Sequence, residues 1–338
     1  MQINAVLRHS LAASAAAARH GLQATIDLPS FSLQLQGAGA PQRWRPRFVT
    51  RMGTGTAYTD VPVDDTIGFA GWLPYGPRRW PEGSGKAAFR RFAQANGLPQ
   101  PASCDDPADL RGPFLVKSEK GSFGNGQRGP FLTCDAFGPA HRLREGEYYE
   151  NFIPGWMAKG WCWGASCLAL DLQRPPTVSG DGRSTVRLLA GALGAFAVQD
   201  TALLARLAAY CNVGSIDEVL PEGREVLVHY RWGADPRQLE GAPGALPPAP
   251  VPPAVQAQFA AAAQRSVACL AAAGLPAETL YTLDAVVDTD GTTLFLEMNC
   301  NPLVHPAAYD AMVASCVAEP VQAAPVAAPV RVAEPALA

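Results

Sequence analysis

Three oxygen-bearing side chains stand out against an apolar background in residues 282–302, TLDAVVDTDGTTLFLEMNCNP: Asp284, Glu297 and Asn299. LDAVVD alternates as a strand, TDG is a hairpin turn signal, and TTLFLEMN reads as the return strand. The hairpin sets an acid near the start of one strand beside an acid and an amide near the end of the other. Glu297 and Asn299 are two apart and share a face. Such a set suits a hard cation such as Mg²⁺, which takes oxygen ligands. Solvent-facing acids at strand ends are the plain alternative, and the hairpin alone leaves both open.

A second group lies upstream. PFLVKS, residues 113–118, reads as a short strand that delivers Lys117 to a glycine-rich run, EKGSFGNGQRG. Lys120, Gly121, Ser122, Gly124 and Gly126 make a loop whose N–H groups can approach phosphate oxygens while lysine neutralises their charge. The run is not GxxxxGK[ST], and no GxGxxG opens a helix here, so it is neither a Walker A loop nor a dinucleotide fingerprint. A plain flexible loop is the alternative.

Positioning these groups takes a mixed set of elements. GKAAFRRFAQANG is helical, with Ala88, Phe89 and Phe92 on one face and Gly97 as its cap. EYYENFIPG, WCWGASCLAL and EVLVHYRWG read as strands; RLLAGAL, DTALLARLAAYCN and AVQAQFAAAAQRSVACLAAAG read as helices. GFAGWLPYGPRRWPEGSG reads as a boundary or surface loop, RMGTGTAYTD as a loop, and GAPGALPPAPVPP as a linker. No internal repeat implies a solenoid. Helices mixed with hairpins, without strict βαβ alternation, predict an α+β architecture in lobes. The expected divisions are an N-terminal region at 1–81, a central lobe at 82–154, a C-terminal lobe at 155–316, and a disordered Pro/Ala-rich tail at 317–338.

Composition narrows the function classes. A net charge of -3 and a charged fraction of 17% argue against a nucleic-acid partner, which asks for a basic face. No apolar run approaches the roughly 20 residues that span a bilayer, so no membrane role is expected. The alanine-rich start reads as an ordinary helix rather than a targeting peptide, and on that reading the chain is expected in the cytoplasm. The eight cysteines form no CxxC pair and no zinc-type spacing with the five histidines; reduced core cysteines are expected.

In this order, the motifs resemble the ATP-grasp superfamily over residues 82–306. GSGKAAFRRFAQANGLPQPAS resembles its helix that begins with a phosphate-contacting lysine, here Lys86. VKSEKGSFGNG matches its lysine strand and glycine-rich lid, YENFIPG its adenine-lining segment, and LDAVVDTDGTTLFLEMNCNP its terminal D…E-x-N metal hairpin. RPPTVSGDGRSTVRLL is similar to a segment of cyanophycin synthetases and of the ATP-grasp half of bifunctional glutathione synthetases. VLPEGREVLVHYRWG resembles the segment after it, with Arg231 at the position of a phosphate-facing arginine.

The resemblance implies an ATP-dependent carboxylate–amine ligase that works through an acylphosphate on amino-acid or peptide substrates; beyond those small molecules, the partner expected is a second copy of the chain in a homodimer. Asp284, Glu297 and Asn299 would hold two Mg²⁺ ions, with Mn²⁺ as an alternative. Lys86, Lys117 and the 120–126 loop would contact ATP phosphates, and Glu150, Asn151, Phe152 and Ile153 would line adenine. Arg231 and Lys117 would face the transferring group. Met157 stands where the family commonly has a ribose-binding acid and Lys159 where it has an arginine. A kinase that leaves phosphate on its acceptor and an inactive nucleotide-binding scaffold remain as alternatives. Trp156, Trp161, Trp163 and His229 are expected to be structural, and Asp181 a turn residue.

Overall fold

Among the described residues, antiparallel pairing makes three sheets and a two-stranded ribbon. The computed structural model describes residues 3–52, 55–119, 127–132, 141–193, 200–231 and 249–318. The first sheet contains β1 (Gln23–Asp27), β2 (Ser32–Gln36), β3 (Gln42–Met52), β4 (Gly55–Thr59) and β5 (Thr66–Leu73). The second runs in the order β6 (Ser103–Cys104), β9 (Glu147–Asn151), β7 (Phe114–Ser118), β8 (Arg128–Phe131). The third runs β11 (Ser166–Gln173), β10 (Trp156–Trp163), β14 (Leu280–Val287), β15 (Thr293–Cys300). The ribbon pairs β12 (Thr177–Ser179) with β13 (Glu225–Leu227). The helices are α1 (Ile3–Arg19), α2 (Pro81–Ser84), α3 (Lys86–Ala95), α4 (Val186–Ala192), α5 (Thr201–Tyr210), α6 (Pro253–Ala272) and α7 (Ala308–Ala318). The architecture is α+β.

Local chemistry explains the elements that hold the site. α3 buries Phe89 and Ala93, one turn apart, and stops where Gly97 takes a φ of +63°. Gly97 N–H donates to Gln94 O and Leu98 N–H to Ala93 O, with Leu98 buried behind them; this closes the orphan carbonyls of the last turn. α6 presents Val255, Phe259, Ala262, Ser266 and Cys269 as a buried helical stripe. That stripe lies on the third sheet, where Gly160 leaves the space that Phe259 fills: a Cβ there would come 2.5 Å from the ring. Asp288 shapes the β14–β15 turn by accepting from the N–H groups of Asp290 and Thr292, both at 2.9 Å.

Four features differ from the sequence expectations. GFAGWLPY is not a surface loop: β5 runs through it and buries Phe69, Trp72 and Leu73. Its glycine content reflects a close approach, because Gly71 (φ +105°) faces Val304 and a Cβ there would sit 2.7 Å away. RMGTGTAYTD supplies the end of β3 and the whole of β4. EVLVHYRWG is a strand only to Leu227, because its partner β12 is preceded by Pro175 and Pro176, which lack N–H donors. α7 has no counterpart among the elements read from the sequence; it buries Ala308, Tyr309, Met312, Val313 and Cys316 in one core with Trp44, Phe48 and Trp72 of the first sheet. Residues 120–126, most of the Pro-rich linker and residues 319–338 lie outside the described residues.

Candidate functional site

The third sheet builds one wall. Tyr281, Leu283, Ala285 and Val287 belong to the core cluster that contains the α6 stripe, so Thr282 and Asp284 project from the opposite face. On β15, Phe295 and Met298 are both buried in that core although they are three residues apart. A bulge in the pairing beside Asp284 absorbs the extra residue and turns Glu297 and Asn299 to the face of Asp284. Asp284 and Glu297 are direct register partners, at the middle of β14 rather than near its start. Asn299 Nδ2 lies 3.2 Å from Asp284 Oδ2 and 3.4 Å from Glu297 Oε1.

The row continues across the sheet. Lys159 pairs in register with Asp284 on one side and Asp171 on the other, so four strands align Asp171, Lys159, Asp284 and Glu297. Lys159 Nζ donates to Asp284 Oδ1 at 2.5 Å. Burial pushes the Asp284 carboxyl up to about 6; Lys159 pulls it back down, and Glu297 adds to the rise.

α3 and the second sheet build the other wall. Lys86 opens α3, and its Nζ donates to Ser118 O at 3.1 Å while lying 3.8 Å from Glu297 Oε2. It therefore bridges the end of β7 and the acid pair. Burial draws its ammonium down from the ordinary lysine value, and Glu297 opposes that shift. Lys117, also on β7, forms a buried ion pair with Glu150 of β9. Glu119 fixes the start of α3 by accepting from Ala87 N–H at 2.7 Å and from Arg90 Nη2 at 2.5 Å.

The remaining expected residues divide. Asn151 N–H donates to Ala102 O and Phe152 N–H to Pro113 O. The Phe152 ring packs in a core with Leu115, Leu203 and Tyr230, and Ile153 is half-buried beside it. Arg231 donates from Nη2 to Gln127 O at 3.2 Å, next to the end of the glycine-rich run. Its Nε is buried with no partner among the described residues. Lys120, Gly121, Ser122, Gly124 and Gly126 lie outside the described residues. Asp181 closes a turn by accepting from Arg183 and Ser184 N–H groups. Trp163 is 8% exposed in the first-sheet core, and His229 Nδ1 accepts from Arg231 N–H.

The donor set can be weighed for a divalent cation. Among the described residues no group of three His, Cys, Asp or Glu side chains converges; the site offers two carboxylates and one amide. Lys159 and Lys86 answer the carboxylates' charge. A divalent ion fits this oxygen set once Lys159 releases Asp284 and Asn299 turns its amide oxygen inward. The Lys159 contact is the feature that sequence reasoning left out: its type was visible, but its partner depends on register across three strands. A separate cavity of about 640 Å³ opens beside α3, lined by Arg90, Arg91, Gln94 and residues 97–103; none of the expected site residues lines it.

No protein-family model matches the sequence. No curated protein matches it either. Several solved structures show a partial likeness to the chain. N5-carboxyaminoimidazole ribonucleotide synthetase from Thermotoga maritima is 12% identical, with 64% of this chain and 41% of that one covered and a TM-score of 0.34. A bifunctional glutathione synthetase from Pasteurella multocida is 13% identical, with 87% and 40% covered and a TM-score of 0.35. The ATP-grasp ligase PsnB in complex with a minimal precursor is 14% identical, with 69% and 60% covered and a TM-score of 0.33. The chain spans about two fifths of the length of the first two.

Proposed function

We propose that the chain is an ATP-dependent carboxylate–amine ligase that forms an amide or peptide bond on an amino-acid or peptide substrate. The observation that carries this reading is the position of Lys86, 3.8 Å from Glu297 and hydrogen-bonded to the carbonyl that follows Lys117. Two lysines and two carboxylates from four elements thereby lie close together. ATP with a divalent cation matches that pattern: the lysines meet phosphate oxygens and the carboxylates meet the metal. Asp284, Glu297 and Asn299 would hold Mg²⁺ or Mn²⁺, which would supply charge neutralisation on the β- and γ-phosphates.

This chain's own residues do the positioning. Lys86 and Lys117 exchange Ser118 O and Glu150 for phosphate oxygens, and Glu119 keeps Lys86 beside the acid pair by anchoring α3. Glu150, Asn151 and Ile153 border the base, with Phe152 fixing their strand from the core side. Arg231 faces the group in transfer. A carboxylate oxygen of the substrate attacks the γ-phosphorus and ADP leaves; the amine nitrogen then attacks the acyl carbon, inorganic phosphate leaves and the amine loses a proton. Excluding water protects the acylphosphate between these steps.

The test is mass spectrometry of the full chain incubated with Mg²⁺, ATP and pairs of amino acids. A product lighter by one water than the sum of its two precursors, formed with ADP and phosphate, is expected. A product that gains a phosphoryl group makes the protein a kinase, and nucleotide binding without any turnover makes it a scaffold.

A further inference from the structure

Lys159 stands between two acids. On β10 it is the register partner of Asp284 of β14 and of Asp171 of β11, so the three side chains form a row on one face of the third sheet. Direct cross-strand partners have Cβ atoms about 4.5–5.5 Å apart. Rotation of the flexible four-carbon lysine stem therefore carries the ammonium to either carboxylate with no movement of the backbone. The structure shows it on Asp284, with Nζ 2.5 Å from Oδ1. Asp171 has a weaker neighbour on its other side. Its Oδ1 lies 3.9 Å from His305 Nε2, beyond hydrogen-bond distance. His305 is held there: its Nδ1 accepts from Ala307 N–H at 3.2 Å and its ring lies against Trp161, with centroids 4.9 Å apart. Burial draws His305 below the ordinary histidine value, so the imidazole is neutral at pH 7 and leaves the Asp171 charge unanswered.

A divalent cation on Asp284 and Glu297 changes this balance. Lys159 Nζ occupies an Asp284 oxygen that such an ion would take, and two positive charges that close repel strongly. One of them has to leave. The Lys159 side chain is only 17% exposed, so the displaced ammonium stays near the sheet, where a charge needs a partner. Asp171 is the carboxylate one strand away, on the side remote from the ion. The exchange keeps every charge paired: Asp284 trades the ammonium for the cation, and Asp171 gains the ammonium.

We infer that Asp171 is a positioning residue for the cation site: it receives the Lys159 ammonium when the ion binds and returns it to Asp284 when the ion leaves. The inference rests on the reading of Asp284, Glu297 and Asn299 as cation ligands given above. It makes Lys159 a built-in competitor of the ion, and Asp171 the group that sets how strongly it competes.

The experiment is calorimetric titration of Mn²⁺ alone into the full natural chain, Lys159→Met, Asp171→Asn, Asp171→Glu and the double variant Lys159→Met/Asp171→Asn. Without nucleotide, no phosphate offers Lys159 another partner. Lys159→Met is expected to bind Mn²⁺ about tenfold or more tightly than the natural chain, and Asp171→Asn about tenfold or more weakly. Asp171→Glu keeps a carboxylate within reach of Lys159 and is expected to stay within about threefold of the natural chain. The double variant separates the exchange from a plain field effect. Losing the Asp171 charge lowers cation affinity through its field in any background, but in Lys159→Met nothing else is lost, and the effect should fall to about threefold or less. The inference is overturned if Asp171→Asn weakens binding equally in both backgrounds, or if Lys159→Met fails to tighten it; Mn²⁺ binding by the natural chain would then leave the cation site standing. Where the Asp171 variants fail to fold, Lys159→Met against the natural chain decides. If neither the natural chain nor any variant binds Mn²⁺, the cation site itself falls, and the inference with it.

Discussion

Lys117 and Glu150 form a buried ion pair on which the proposed ATP site also draws. Their side chains are 13% and 5% exposed, so each is the other's main source of charge compensation. Replacing Lys117 by Met strands a buried carboxylate, and the expected loss of stability is about 3–5 kcal/mol. Lys117→Met/Glu150→Leu removes both charges and is expected to recover most of that loss in urea unfolding, while ATP affinity stays impaired. A double variant as unstable as the single one would show that charge pairing is not what the strand pair depends on. Lys117 was legible as a site candidate from its place before the glycine-rich run. Glu150 was legible only as part of a motif, because nothing in EYYENF says that its carboxylate turns inward to the neighbouring strand.

At the scale of elements, the third sheet and α6 make a rigid floor. Phe259 fills the gap above Gly160 and meets Phe295 edge-on, with ring centroids 5.2 Å apart. Phe259→Ala is expected to cost about 3–5 kcal/mol in chemical denaturation, since a rigid floor cannot collapse into the space left. An effect below about 1 kcal/mol would mean that the floor repacks. Elements with local punctuation were readable in advance: the Gly97 stop of α3, the Asp288–Gly291 turn and the α6 stripe each follow from neighbours in sequence. Those defined by distant partners were not. β5 looks like a loop because Gly71 answers to Val304, and α7 went unread because its apolar face is covered by a sheet more than two hundred residues upstream. The site followed the same division. Asp284, Glu297 and Asn299 were visible in one hairpin, whereas the bulge that aligns them and the Lys159 contact required the tertiary structure.

At the scale of the molecule, α7 ties the C-terminal segment to the first sheet. Tyr309 Oη accepts from Trp72 N–H at 3.0 Å and meets His9 Nδ1 of α1 at 3.0 Å, so three distant segments converge on one buried hydroxyl. Burial lowers His9 to about 4, and Arg8 and His305 push in the same direction. The unfolded chain therefore takes up a proton near pH 6.5 that the folded chain refuses until about pH 4. Stability from this group is present above pH 6.5 and lost as pH falls toward 4, by about 3 kcal/mol. Asp284, raised to about 6, runs the opposite way in the same window, so the readout is the difference between the natural chain and His9→Asn. That difference should shrink steadily from pH 7 to 4; a constant difference would remove His9 as the acid-sensitive group. On the proposed reading, Lys86, Lys117, Asp284 and Glu297 form one site for ATP and a divalent cation. Calorimetric titration of ATP into the full chain, with and without Mg²⁺ and in Glu297→Gln, tests it most directly. The expected result is binding that weakens by about tenfold or more without Mg²⁺ or in the variant; no binding, or binding indifferent to both changes, would contradict it.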